Sequence, residues 1–160
     1  MDDTETRLVI GIGNPDRGDD GAGIAAARLL AAAAIPGVRV MEHSGEAAGL
    51  IELWQTTPAC VVYMIDALVS GAPSGTIKRF AAHLQPLPAG LSGGSTHLLG
   101  IAQAVELARV LECLPSQLIV FGIEGTRFDF QSSLSEAVAA AVQQVAAQVQ
   151  SEVLEPEAAQ

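Results

Sequence analysis

Two carboxylates and an imidazole stand where an α/β chain tends to place reactive groups. Asp20 closes the acidic end of a glycine-rich loop, Asp66 follows the apolar run Ala59 to Ile65, and His97 ends a Gly/Pro-rich loop just before a helical stretch. Carboxylate oxygen and imidazole nitrogen suit borderline divalent metals such as Ni²⁺ and Zn²⁺. Three protein donors leave positions open for a substrate atom or water, and the absence of a thiolate argues against a closed structural zinc site. Each residue also has an ordinary reading. Asp19 or Asp20 could cap the following helix, Asp66 could accept loop amides, and His97 could hydrogen-bond locally. Asp66 is the hardest to treat as incidental, because an unpaired buried carboxylate is costly. Glu42, His43, Glu46 and His83 fall near a strand end or in loops, where plain surface residues are the simpler reading.

The elements that must position these groups follow from hydropathy pattern. Arg7 to Ile12 is a short β-branched run ending in a glycine-containing turn, a first strand. Ile24 to Ala34 is rich in helix formers and Pro36-Gly37 ends it. Val38 to Met41 alternates as a second strand, and Ala47 to Gln55 is a short amphipathic helix. Ala59 to Asp66 is apolar throughout, as expected of a central strand buried on both faces, with Asp66 at its end and Cys60 inside it. Gly75 to Phe80 alternates and reads as an edge strand, possible in antiparallel sense. Leu84 to Ser95 carries two prolines and three glycines and reads as a long loop, a feature often functional. Leu98 to Leu111 is a helix closed by Cys113, Gln117 to Ile123 a buried strand, and Leu134 to Val149 a helix, with a frayed acidic tail after Glu152. Strands alternating with helices predict an α/β three-layer sandwich: a mostly parallel twisted sheet of about five strands, with helices on both faces. Length predicts one domain over 1–160, its core about 7–149. Ligands of such sheets bind outside the carboxyl ends of the strands, which is where Asp20, Asp66 and His97 would converge.

Composition narrows the function classes. The formal charge is −10, which disfavours nucleic acid and anionic membrane as partners. Two cysteines without a CxxC spacing predict neither a disulfide framework nor a thiolate metal site. The acidic start Met1-Asp2-Asp3 lacks the basic, then apolar pattern of a secretion signal, and no apolar window is long enough to span a membrane. The expectation is a soluble cytoplasmic protein.

Gly11-Ile12-Gly13 after a strand resembles the opening of a dinucleotide fingerprint, but the third glycine would fall at Asp16, and no Lys-Ser or Lys-Thr pair follows. Asp16, Asp19 and Asp20 put negative charge where a phosphate would sit, so nucleotide binding is disfavoured. The glycines would instead allow positive φ and the close approach of a partner backbone. There is no G-x-S-x-G elbow and no H-E-x-x-H helix. If the chain is a peptidase, its chemistry comes from elsewhere, such as a metal delivered with the substrate.

These motifs together resemble the maturation endopeptidases of [NiFe] hydrogenases, the family of HybD and HycI. That family carries a strand followed by G-x-G-N, a spacer, an Asp-Asp or Asp-Glu pair and a nearby glycine, matched by Gly11-Ile12-Gly13-Asn14 and Gly18-Asp19-Asp20-Gly21-Ala22-Gly23. Ile65-Asp66-Ala67 matches its Asp closing an apolar strand, and Thr96-His97-Leu98 its His opening a helix. A late strand, Val120 to Ile123, then Leu134-Ser135, completes the order, so the resemblance runs from about Arg7 to Val149. The segment Glu42-His43-Ser44-Gly45-Glu46 departs from the Asp-Gly-Gly of close relatives.

The resemblance implies that Asp20, Asp66 and His97 bind nickel and do the catalytic work. The nickel would arrive with the substrate and would not be held tightly by the free protein. It implies as partner a [NiFe] hydrogenase large-subunit precursor, from which a C-terminal extension is cut after nickel insertion. A monomer is expected. Two alternatives from other classes are a non-catalytic peptide- or metal-binding module, separable by a proteolysis assay, and an amidase-type hydrolase with its own zinc, separable by metal analysis.

Overall fold

The computed structural model describes residues 6–87 and 96–155, and side chains from Gly100 onward in the helix that begins at Thr96. The strands are β1 (Arg7–Ile12), β2 (Val38–His43), β3 (Val61–Leu68), β4 (Ile77–Ala81) and β5 (Leu118–Glu124). The helices are α1 (Ala22–Ala32), α2 (Ala47–Thr56), α3 (Thr96–Val110) and α4 (Glu136–Leu154), with a 3₁₀ turn at Gly18–Gly21 before α1. The strands form one sheet in the order β2-β1-β3-β5-β4. All neighbours pair in parallel except β4, which runs antiparallel to β5 at the edge. The predicted fold class is the one observed.

Strand periodicity sorts the core into two layers. Val9, Tyr63, Ile65, Ile119, Phe121 and Ile123 face α1 and α4. Leu8, Ile10, Ile12, Val62, Met64, Leu118 and Val120 face α2 and α3. β3 and β5 are buried at every residue, which is why both read as unbroken apolar runs. The alanines of α1 and α4 let these helices lie close to the sheet and to each other. At Gly11 and Gly23 the approach is closer still. A Cβ at Gly11 would fall 2.5 Å from both the Gly23 carbonyl and the Ala27 methyl. One at Gly23 would strike the Ile65 carbonyl oxygen and lie 2.5 Å from that of Ile12. Backbone cannot yield as a flexible side chain can. Gly23→Ala is therefore expected to cost about 2–3 kcal/mol, in the range of core overpacking, measured as a fall in denaturation midpoint at unchanged m-value.

The structure moves several expected boundaries. β3 continues two residues beyond Asp66, because β5 keeps pairing with it through Leu68 and Glu124. Cys60 is not inside the strand; it is half-buried just before it, and its thiol donates to the Thr6 carbonyl at 3.2 Å. α4 runs past Glu152 to Leu154, held there by the bidentate Arg79–Glu152 pair at 2.6 and 3.2 Å. The last five residues, 156–160, lie outside the described residues.

The long connection after β4 also has a topological reason. An antiparallel strand delivers the chain to the amino-end edge of the sheet, where Ala81 pairs with Ile119. α3 leads into the start of β5, so it must begin at the opposite edge. Most of the predicted Leu84 to Ser95 loop lies outside the described residues. Among the described residues no helix is long and apolar enough to cross a membrane.

Candidate active site

The carboxyl ends of β1 and β3 are where the sheet opens. β1 stops pairing with β3 at Gly11 opposite Ile65, so Asp66, the next residue on β3, has no β1 neighbour. On its other side it stays in register with Gly122 of β5. The strand therefore holds Asp66 rigidly from one side and leaves the other facing the β1–α1 loop. Asp66 is 1% exposed, and its Oδ1 accepts the Ala67 amide at 2.8 Å.

The β1–α1 loop turns back over that opening. Gly13, at φ +139°, donates its amide to the His43 carbonyl at 3.2 Å. A Cβ there would run into the Asp20 carbonyl oxygen and lie 3.9 Å from Asp66 Oδ1. Gly13 thus lies between the Asp20 main chain and the Asp66 carboxylate, and only a residue without a side chain fits there. Asp20, 3% exposed, accepts the Asn14 amide through Oδ2 at 3.2 Å. The backbone so fixes one oxygen of each acid.

Neither Asp19 nor Asp20 caps α1, whose N-cap is Gly21 with no side-chain cap bond. Asp19 does a different job. Fully buried, it accepts the amides of Thr126 (2.9 Å), Arg127 (2.8 Å) and Ser135 (2.7 Å) and the Ser135 hydroxyl at 3.0 Å. Burial alone would raise its pKa; the hydrogen bonds outweigh that and hold it below the ordinary carboxylate value. Asp19 ties the β1–α1 loop to the β5–α4 loop.

His97 belongs to the first turn of α3; its side chain lies outside the described residues. The backbone still sets where the position falls. A Cβ at Gly100, one turn on, would run into the Gly45 carbonyl of the β2–α2 loop, so the start of α3 sits against the same sheet edge. Asp66 shares its strand parity with Met64 and Leu68, which face the α2/α3 layer. The fold therefore brings position 97 and Asp66 to one edge and one face. Among the described residues no set of three His, Cys, Asp or Glu side chains gathers to hold a metal. Asp20 and Asp66, both buried, offer carboxylate oxygens, donors of the hard-to-borderline type that suits a divalent ion.

The residues beside this edge are more engaged than plain surface groups. His43 Nδ1 accepts the Gly45 amide at 2.9 Å, and burial pushes its pKa down against the opposing Glu46. Glu46 is the N-cap of α2, accepting from Ala48 and Gly49. His83 Nδ1 accepts the Leu118 amide at 3.0 Å at the far edge. Only Glu42 is a solvated charge, paired with Arg28. Sequence reasoning missed Glu124, 2% exposed at the end of β5. Its carboxylate accepts the Ser70 amide and hydroxyl, both at 2.8 Å, and the Gly71 amide at 3.0 Å. An acid closing a buried strand was the available signal, the same one that singled out Asp66.

Fold and edge define the class: an open, three-layer α/β protein with one buried acid, Asp66, on β3 and a second, Asp20, in the loop that follows β1. The family model HycI, hydrogenase maturation protease, matches residues 25–152, and the chain belongs to that family. It is 30% identical over 122 residues to the hydrogenase expression/formation protein HupD of Thiocapsa roseopersicina, covering 76% of this chain and 55% of that protein. It is 30% identical over 136 residues to HoxM of Azotobacter vinelandii, covering 83% and 65%. The chain thus spans under two thirds of the length of these relatives. Among solved structures, [NiFe] hydrogenase maturation protease HybD from Thermococcus kodakarensis superposes with a TM-score of 0.74 at 25% identity, over 92% of this chain and 99% of that one. The solution structure of endopeptidase HycI from Escherichia coli gives 0.74 at 20% identity over 91% and 90%.

Proposed function

We propose that the protein is an endopeptidase that removes a C-terminal extension from a [NiFe] hydrogenase large-subunit precursor, recognising nickel already seated in that substrate. The packing of the Asp20 main chain and the Asp66 carboxylate on either side of Gly13, with both acids buried, in a chain of this family, supports the reading. Asp20, Asp66 and His97 contact the substrate's nickel and so register the peptide that follows it against the sheet edge. Most of the rate advantage then comes from positioning the scissile bond. The metal supplies Lewis acidity, polarising a carbonyl or a water. A carboxylate oxygen turned away from the metal takes the proton of the attacking water. Because nickel belongs to the substrate, the free protein holds little of it.

The test is to offer nickel-loaded and nickel-free precursor in parallel. Cleavage should be confined to the loaded form, with a difference on the order of 10²-fold or more, the scale of losing a metal's charge stabilisation. Equal cleavage of both forms refutes nickel recognition, and purified protein carrying stoichiometric zinc would point to the amidase-type alternative.

A further inference from the structure

A recess of about 170 Å³ lies on the outer side of the 3₁₀ turn that carries Asp20. Buried Ile24 and half-buried Ala25 and Leu134 form its inner lining, and exposed Pro15, Arg28 and Ser133 stand at its mouth. At about 30 Å³ per water it has room for five or six, the bulk of one medium side chain. Its two walls are the β1–α1 and β5–α4 loops, and they are fastened together. Gly18 donates to the Ser132 carbonyl (3.1 Å), Asp19 to that of Arg127 (2.6 Å) and Gln131 to that of Asp16 (2.6 Å), in addition to the bonds made by the Asp19 carboxylate. The recess is preformed, as ligand subsites usually are.

We propose that this recess is a subsite for the precursor's peptide chain, seating one apolar side chain on Ile24, Ala25 and Leu134 while Arg28 pairs with a carboxylate of the same segment. The proposal rests on the endopeptidase reading above and names a part of the substrate that it would grip. Charge carries the choice of occupant. The chain has a net charge of −10, yet the only charged side chain among those lining the recess is a cation. That cation already holds a carboxylate: Arg28 Nε and Nη2 donate to Glu42 at 3.1 Å each. The partners are 59% and 46% exposed, so the pair is weak and open to exchange. Glu42 thus stands in for the carboxylate of an incoming segment and competes with it. Continuity carries the rest, because Gly18 and Gly21, which line the recess, bound the turn that presents Asp20.

The competition makes opposite predictions for the two halves of one ion pair. KM for processing and Kd for nickel-loaded precursor are measured on the full chain. Ala25→Leu fills the recess and Arg28→Gln removes its charge; each should raise both constants about five- to tenfold, the worth of one buried contact or charged pair at an interface. Glu42→Gln frees Arg28 and should lower both, about two- to threefold. Melting temperatures should stay together, since an exposed pair adds little to stability. Constants unmoved by Ala25→Leu and Arg28→Gln would overturn the subsite while leaving the endopeptidase reading standing. So would a Glu42→Gln variant that weakens binding as Arg28→Gln does, because the pair would then be structural. A wild-type protein that binds precursor without cutting it removes the endopeptidase reading, and Kd still decides the recess. Wild-type protein that does not bind precursor overturns both.

Discussion

Asp66→Asn should leave a folded protein that no longer processes precursor. Asparagine keeps the shape of the side chain and keeps an oxygen to accept the Ala67 amide at the end of β3, so the strand has no reason to move. What is lost is the negative charge beside Gly13, where a divalent ion held by the substrate would meet the sheet edge. The expected fall in kcat/KM is on the order of 10²- to 10³-fold, the scale seen when an electrostatic partner of the transition state is removed. Asp20→Asn should behave alike, since an amide oxygen can still accept from Asn14. His97→Ala completes the set. Because the three would act on one ion, their effects should not add: a double variant should be hardly worse than the poorer single one. Processing assays alongside thermal melts decide it. Wild-type rates in all three variants would remove the proposed site, and loss of activity only in step with loss of fold would reduce these residues to structural ones.

The second large effect concerns stability. Asp19→Ala deletes a fully buried acceptor and strands the amides of Thr126, Arg127 and Ser135 without the oxygen that now holds them. Each hydrogen bond to a charged group contributes about 1.5–3 kcal/mol. A net loss of about 3–5 kcal/mol is expected, which places the substitution among the severe ones. In a domain of this size that is a fall of about 10 °C or more in Tm. Asp19→Asn should lose less, because one acceptor oxygen survives while the new NH₂ group faces donors. The pH dependence carries a definite sign. Hydrogen bonding holds the folded-state pKa of Asp19 below its unfolded value. The stability this contributes is therefore complete above the unfolded pKa, near 4, and drains away as pH falls through the lower folded one. Wild-type protein should lose stability with acidification below about pH 4, and Asp19→Ala should lose correspondingly less over the same interval. Denaturant midpoints between neutral pH and pH 3 measure it; equal slopes for the two proteins would contradict the assignment.

Asp19 also shows where sequence reading reaches its limit. Asp19 and Asp20 are adjacent and chemically identical, and local sequence allows helix capping by either. The structure gives capping to neither, because the 3₁₀ turn intervenes and Gly21 takes the cap. Asp19 finds its amides 107 to 116 residues further along the chain, and no local pattern encodes a partner that distant. Glu46 is the converse case. Its capping bonds are local, to Ala48 and Gly49, and its position just before an amphipathic helix is a signal for them that the reading of Glu46 as a surface acid overlooks. Read locally, the glycines of the first loop suit the close approach of a partner backbone. At Gly11, Gly13 and Gly23 the backbone they admit is the chain's own, which is what allows α1 to sit directly on the strand ends.

The sequence by itself determined the layers and the edge. Apolar runs at β3 and β5 can be satisfied only between two helical layers, and acids that follow such runs must emerge at their carboxyl ends, since the chain direction leaves no other place. Only the tertiary structure decided how the two acids are placed about the opening. β1 stops one residue short of Asp66, Gly13 brings Asp20 over the opening, and β5 holds Asp66 from behind. These facts depend on strand register and on backbone contacts between segments far apart in the chain, and such contacts are chosen by packing over the whole domain rather than by the residues at any one point.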